Sequence, residues 1–320
     1  AIRGEKLHKS ENYYYLEALV SRLLADDEDF IKVQEKYYRI LAGISGEEKL
    51  HRVLADYHFK DDATILYNFE CVNEKGYSHQ IDAIVLTKRF LLIIEVKQIS
   101  GTLFYKSVFH EFARLTEEGV LENFSNPFDQ AFRHQLFLSH QLSKWAIQLP
   151  VLYIVVNANI RTKLDQSLNN SPIIHLSGMP LFLEELYANH HETSVDLEHL
   201  KNKLKSLSCR LPPKMKVESH RLRKGVLCVK CQFQNVMYYQ FGVWICSQCG
   251  EKNKDAIYMA LHQYRILISN RITNRELRDF VGIESKAVAS KLLKRLKLMQ
   301  LGSGRGVYYL IPEDILGRRI

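Results

Sequence analysis

The sequence predicts a mixed α/β domain followed by a small four-cysteine ribbon and a helix-turn-helix with a hairpin wing. Three observations carry this reading. Between about residues 46 and 156 the patterning runs helix, three strands, helix, strand; two Cys-x-x-Cys pairs stand at 228–231 and 246–249; and two capped helices flank a glycine break between Thr273 and Leu298, before a glycine-rich hairpin. At 320 residues the chain exceeds one ordinary core, since single cores rarely grow past ~250–300 residues. The expected division is 1–40 for an N-terminal helical segment, 41–208 for the α/β domain, 220–255 for the ribbon and 256–320 for the helix-turn-helix.

Taken in order, Tyr14, Leu16, Leu19, Val20 and Leu23 recur at helical spacing, and Phe30, Val33, Tyr37 and Ile40 resume it after Asp26-Asp27, predicting two packing helices. The run Tyr13-Tyr14-Tyr15 belongs to this packing and is given no function. A third helix is expected to open at Gly46, with Leu50, Val53 and Leu54 on one face. Thr64–Glu70, His79–Leu86 and Phe90–Gln98 read as strands, the last two joined through Lys88-Arg89. Asn126-Pro127 opens a helix to about Leu142, and Val151–Val156 is a short apolar strand of the buried type. Lys201–Lys205 and Leu211–Lys216, with Pro212-Pro213, read as a linker.

Composition excludes several classes. With 46% apolar and 25% charged residues the chain is globular, and its longest apolar runs, Phe90–Val96 and Val151–Val156, fall far below the ~20 residues of a bilayer span, so no membrane partner is expected. The opening Ala1-Ile2-Arg3-Gly4-Glu5-Lys6 lacks a signal-peptide pattern, which points to the cytoplasm. Charge is lopsided. From Cys209 onward 21 Lys and Arg face 8 Asp and Glu, a net +13, while residues 1–208 carry 23 against 28, a net −5. The basic third is suited to a polyanion.

The sharpest chemical pattern lies in His79-Gln80-Ile81-Asp82-Ala83-Ile84-Val85 and Leu92-Ile93-Ile94-Glu95-Val96-Lys97. Glu95 and Lys97 share a strand face, and Asp82 can meet them across an antiparallel partner. Charges set among Ile, Val and Leu need compensation, and two carboxylates with a backbone carbonyl suit a hard divalent ion such as Mg²⁺ or Mn²⁺. A lysine beside them can position water and neutralise developing phosphate charge, which suggests phosphodiester hydrolysis.

Gly46-Glu47-Glu48-Lys49-Leu50, His79–Ile84, Ile94-Glu95-Val96-Lys97 with Ser100-Gly101, and Asn126-Pro127-Phe128-Asp129-Gln130 together resemble the nuclease-related domain (NERD) family, itself similar to the PD-(D/E)XK nucleases. The resemblance implies a restriction-endonuclease-like fold, a mixed sheet flanked by helices. It implies that Asp82 and Glu95 bind the metal with the Val96 carbonyl, that Lys97 is the catalytic amine, and that Glu47 rather than its neighbour Glu48 adds an acid. Gln130 would support the site, ahead of His134 and Gln135.

Of the six cysteines, Cys228, Cys231, Cys246 and Cys249 form two close pairs with fourteen residues between them, suiting a closed, structural Zn²⁺ cage beside Trp244 and Phe241. Cys71 and Cys209 read as ordinary thiols. The first knuckle, Cys228-Val229-Lys230-Cys231, lacks a proline expected after its first ligand.

Thr273-Asn274-Arg275-Glu276 forms a capping box, Gly282 breaks the helix and Ser285 caps the next, about Lys286–Leu298. Val288, Ala289, Leu292, Leu293 and Leu296 face inward, leaving Lys286, Ser290, Lys291, Lys294 and Lys297 outside as on a recognition helix. Gly302–Gly306, carrying Arg305, joins two short strands as a wing. The full order resembles Bacillus-type NERD proteins with a zinc ribbon and winged helix. The expectation is a metal-dependent DNA nuclease, with RNA as an alternative substrate, a silent DNA-binding regulator as the rival class, and homo-oligomers compatible with either.

Overall fold

A computed structural model describes residues 3–4 and 9–318, the side chains of residues 3, 4 and 305 apart. Helix α1 (Glu11–Arg22) is followed by α2 (Phe30–Asp56). The break between them falls at Asp26-Asp27, as the sequence indicates. The third helix expected at Gly46 is instead the second half of α2, which runs unbroken for 27 residues. Gly46 sits mid-helix for a packing reason: a Cβ there would meet Val96 Cγ1 at 3.0 Å. The glycine permits close helix–sheet approach and does not end the helix.

The chain divides into two compact units, residues 1–10 with 39–212, and residues 11–38 with 213–320. In the first, strands β1 (Arg3–Gly4), β2 (Thr64–Val72), β3 (Ser78–Leu86) and β4 (Leu91–Lys97) are followed by β5 (Thr102–Lys106), β6 (Glu111–Leu115) and β7 (Leu121–Phe124). Helix α3 (Pro127–Lys144) leads to β8 (Val151–Asn157), β9 (Lys163–Leu164) and β10 (Ile173–His175), then to α4 (Met179–Asn189) and α5 (Leu197–Leu207). The main sheet has the order β1-β2-β3-β4-β8-β10, antiparallel through β2-β3-β4 and parallel from β4 to β10. A second sheet, β7-β6-β5-β9, takes three strands from between β4 and α3 and its fourth, β9, from after β8.

Helices cover both faces of the main sheet. Leu50 and Leu54 of α2 and Met179, Leu183 and Leu186 of α4 pack with Ala83, Val85, Leu92 and Ile94. On the other face Phe137, Leu138 and Leu142 of α3 and Leu200 and Leu204 of α5 pack with Ile81, Ile84, Leu91 and Ile93. Lys201–Lys205, read from sequence as linker, is therefore helix. Asp196 caps α5 by accepting from the Glu198 and His199 amides, and Leu200 and Leu204 are buried beneath the lysines.

The alternation of β2 and β3 reverses at one level. Ile65 and Tyr67 face the α2 layer while Phe69 and Cys71 face the α3 layer; likewise Ala83 and Val85 face α2 while Ile81 faces α3. Strict alternation would keep residues two apart on one face. Tyr67 pairs with Ala83 and Phe69 with Ile81, so both strands turn over together at the residues between, Asn68 and Asp82. Asn68 takes a left-handed φ of 49° to do so.

In the second unit, β11 (Val226–Leu227), β12 (Val236–Gln240), β13 (Val243–Cys246) and β14 (Lys252–Asn253) form an antiparallel sheet. Trp244 is fully buried, but Phe241 is 95% exposed, against the expectation that it packs beside the cysteines. Phe241 and Gly242 are the two central residues of a tight hairpin, both with positive φ, and a tip residue of such a turn faces solvent. Helices α6 (Ala256–Leu267), α7 (Asn274–Val281) and α8 (Lys286–Arg295) follow, with β15 (Arg271–Ile272), β16 (Met299–Leu301) and β17 (Tyr308–Leu310) in the order β15-β17-β16. Met237 and Trp244 share one core with Leu261, Leu277, Phe280, Leu292 and Leu293.

Helix α1 belongs to this second unit. Its Arg22, with no exposed surface, donates Nε to Gln263 Oε1 at 2.9 Å and Nη1 to the carbonyls of Arg223 and Gly225 at 2.9 and 2.7 Å. The guanidinium lies 4.5 Å from the centre of the Phe280 ring, and burial with the Arg223 charge pushes its pKa down to about 9. The N-terminal segment expected at 1–40 is thus shared between units. No described helix is long and apolar enough to cross a membrane.

Candidate metal centre and basic helix

The carboxylate site is built where β3 leaves β4. Register pairs run from Leu86↔Leu91 to Ala83↔Ile94, after which Glu95, Val96 and Lys97 continue along β8 opposite Val155, Val156 and Asn157. At this fork the Asp82 carboxylate takes over the role of a strand partner: its Oδ2 accepts from the Val96 amide at 2.7 Å. The side-chain turnover at Asn68 and Asp82 aims Asp82 into the opening, which a regular strand would not do.

Glu95 is 2% exposed. Lys97 Nζ donates to its Oε1 at 2.6 Å and to Gln130 Oε1 of α3 at 3.4 Å, while Glu95 Oε2 has no partner among the described residues. From α2, Glu47 turns toward Asp82 and Glu95 and is hydrogen-bonded by the Asn68 side chain; Glu48 is exposed. The structure thus brings together Glu47, Asp82, Glu95, Lys97 and Gln130.

The electrostatics follow from burial. Burial and the Asp82 charge push the Glu95 carboxyl up to about 8, and burial with Asp82 repulsion takes Glu47 up to about 7; Asp82 is raised by burial too. Lys97 is pulled down by burial, but Glu95 and Asp82 outweigh that and hold it above the ordinary lysine value. It stays an ammonium. Three acids facing one ammonium crowd together around the buried Glu95, and its orphaned carboxylate oxygen is costly unless a cation or proton meets it. Glu47, Asp82 and Glu95 do not bring one oxygen each within 4.8 Å of one another as the cysteine quartet does among the described residues, so a hard divalent ion would draw on a pair of these acids with other oxygen donors.

Two further candidates on α3 play structural parts. Gln135 Nε2 donates to the Val151 carbonyl at 2.6 Å. His134, fully buried one turn after Gln130, meets His79 Nδ1 to Nδ1 at 3.0 Å, and His79 stacks on Phe137 with ring centres 4.1 Å apart. Burial lowers these imidazoles to about 4 for His79 and about 3 for His134, so both are neutral. Sequence reasoning missed Asn68, because an asparagine inside an apolar run carries no signal of a left-handed backbone.

Cys228, Cys231, Cys246 and Cys249 form the group of potential ligands, among the described residues, whose atoms lie within 4.8 Å of one another. Their Sγ separations include 3.6 Å for Cys228–Cys249 and 3.8 Å for Cys231–Cys246. A Zn–S bond of about 2.3 Å gives a tetrahedral edge of about 3.8 Å, so the quartet could hold a zinc ion. The Cys249 and Gln248 amides, the former dominant, lower the Cys246 thiol to about 7, whereas burial pushes Cys228 up to about 12, so the four thiols differ in how readily they give up a proton to a metal.

On α8, Lys286, Lys291 and Lys294 are exposed; Lys297 is exposed beyond the helix end with φ 49°. Ser290 is half-buried and accepts from Asn274 Nδ2 at 3.0 Å, tying α8 to the start of α7. Arg305 stands in the turn between β16 and β17, its side chain outside the described residues.

Compared with known sequences, the chain matches no curated protein. Residues 42–158, which contain Glu47, Asp82, Glu95, Lys97 and Gln130, match the family model of the nuclease-related domain (NERD).

Proposed function

We propose that this protein is a divalent-metal-dependent nuclease that hydrolyses phosphodiester bonds of DNA, with a PD-(D/E)XK-like catalytic unit and C-terminal modules that hold the nucleic acid. The observation that carries the reading is the buried Glu95 bonded to Lys97 at a strand fork that also receives Asp82 and Glu47. Mg²⁺ or Mn²⁺ bound by Asp82 and Glu95, with Glu47 and the Val96 carbonyl nearby, would supply Lewis-acid neutralisation of the scissile phosphate. Lys97, kept protonated, serves as a donor and positive charge toward water or phosphate, and Gln130 fixes its direction. Asn68 positions Glu47.

In the second unit, zinc held by the four cysteines would secure the ribbon, and α7 and α8 would act as the helix-turn-helix of a winged helix. Lys286, Lys291, Lys294 and Lys297 then face phosphate or base edges, with Ser290 set back by its bond to Asn274. The second unit carries 23 Lys and Arg against 15 Asp and Glu, a net +8, while the first is balanced at 21 against 21, and this supports the division of labour.

The deciding experiment compares degradation of plasmid DNA by wild type, Asp82→Ala and Lys97→Ala in Mg²⁺ and Mn²⁺, alongside DNA binding in Ca²⁺. Expected are metal-dependent cleavage by wild type alone and near-equal binding by all three. Binding without metal-dependent cleavage in any of them would favour a regulator with a silent nuclease-like domain, and faster cleavage of RNA would reassign the substrate.

A further inference from the structure

The first unit carries 21 Lys and Arg against 21 Asp and Glu, and many of its cations are committed. Lys97, Lys106 and Arg114 are paired with Glu95, Glu111 and Glu122 at 2.6, 3.5 and 2.7 Å. Among the described residues Arg52, Lys75, Arg133, Arg161 and Lys163 of this unit are exposed with side chains that make no ion pair or hydrogen bond, and of these Arg161 and Lys163 lie two residues apart. They stand on the segment that follows β8, whose last residue Asn157 pairs with Lys97. Just before them Ile160 is 91% exposed.

This segment is firmly built. The Ala158 amide donates to the Lys97 carbonyl at 2.8 Å, and the Lys163 amide to the Gly101 carbonyl at 3.0 Å. Thr162, 5% exposed, donates its hydroxyl to the Ile99 carbonyl, which Asn157 Nδ2 also reaches at 3.1 Å. The Asn159 and Arg161 amides are held by the Asn157 and Asn159 side chains, each at 3.0 Å. Anchors on the residues flanking Lys97 thus hold out two unpaired cations and one apolar side chain. Four residues of chain span at most about 14 Å, so Arg161 reaches no further than the nucleotides flanking a phosphate placed at Lys97.

We infer that the segment Ile160–Lys163, from the turn after β8 into the first residue of β9, is a duplex-DNA contact of the catalytic unit, in which Arg161 and Lys163 hold phosphates beside the scissile one and Ile160 packs on the sugar–base edge. The inference rests on the nuclease reading for its register and adds a substrate-holding surface outside the basic C-terminal third. Apolar side chains set beside cations are a known means of gripping a groove edge.

The test uses the full chain in Ca²⁺, where no cleavage is needed. A benzoylphenylalanine photo-crosslinker is placed at Ile160 or, as an exposed control on α4, at Leu181, and irradiated with a labelled DNA duplex. In parallel the salt dependence of binding is measured for wild type and the double variant Arg161→Ala/Lys163→Ala. Expected are an adduct at 160 well above that at 181, and a slope of log K against log salt shallower by about 1.8 for two lost phosphate contacts. In Mg²⁺ the double variant should raise KM about tenfold at moderate salt, and Arg161→Lys should restore part of it. Equal adducts at 160 and 181, or an unchanged slope, would overturn the assignment, as would an adduct formed with duplex RNA but not DNA. An adduct at 160 from a protein that never cleaves would instead sink the nuclease reading and leave the contact standing.

Discussion

Gly46→Ala and Gly43→Ala make the same chemical change three residues apart on one helix, yet the structure sets them opposite outcomes. A Cβ at Gly43 meets nothing within 4 Å; at Gly46 it meets Val96 Cγ1 at 3.0 Å, with Ala158 Cβ at 3.6 Å. In a helix interior, alanine gains roughly 0.5–1 kcal/mol over glycine, so Gly43→Ala should raise the unfolding midpoint by about 1–4 °C and leave cleavage intact. At Gly46 ordinary contact distance requires α2 to move off β4 by several tenths of an ångström, which offsets that gain. The displacement acts at the residue preceding Glu47 and against the residue between Glu95 and Lys97. Since a misplacement of about 1 Å can cost ~10²-fold in rate, a fraction of that should lower metal-dependent cleavage about tenfold with DNA affinity preserved. Thermal unfolding and plasmid cleavage on both variants decide it. If Gly46→Ala matched Gly43→Ala in stability and rate, the close approach of helix and strand would have no role in setting Glu47.

Metal binding should depend on pH with a fixed sign. Glu47 and Glu95 have raised carboxyl values, about 7 and about 8, so their contribution to metal-free stability is complete below the ordinary glutamate value near ~4.3 and is lost as pH rises through ~7–8. Mn²⁺ binds the deprotonated groups, so the midpoint shift it causes should grow from pH 5 to pH 8 and vanish in Asp82→Asn; a shift independent of pH would contradict the coupled carboxylates. Arg22→Leu strips three bonds from Gln263 and two carbonyls and should cost about 2–4 kcal/mol in the second unit, read by urea unfolding or by proteolysis within 213–320; a loss below measurement would show that α1 is dispensable there. Chelation or Cys246→Ser should remove one zinc per chain by elemental analysis and unfold the ribbon, and a metal-free preparation with an unchanged circular-dichroism spectrum would refute a structural ion.

Much of this was legible in the residues. Period-two apolar runs located β2, β3 and β4 to within two residues, and Asn126-Pro127 marked the start of α3, because burial and capping leave local patterns. The grouping of Asp82, Glu95 and Lys97 was likewise accessible from strand alternation, although alternation alone omits the turnover at Asn68 that lets Asp82 enter the fork. Helix α5 did leave a stripe, Leu197, Leu200, Leu204 and Leu207 at helical spacing, but the alternating Lys201, Lys203 and Lys205 read more readily as a solvated linker. Strands β5, β6 and β7 are short and half-exposed, so their periodicity is weak. The exposure of Phe241 follows from paired positive φ values, which hydrophobicity does not encode. Membership of α1 in the second unit depends on partners more than 200 residues away, Arg223, Gly225 and Gln263, and long-range docking leaves no local trace.

That distant docking bears on how the chain is made. Residues 11–38 emerge early, but the surface that receives Arg22 is completed only after Gln263 has been synthesised. At about 5–20 residues per second, α1 must wait tens of seconds while the intervening α/β unit can already fold. Until then its apolar side, with Leu16 and Leu19, has no place to bury, which makes this interval the vulnerable stage for a holdase or protease to act on the nascent protein.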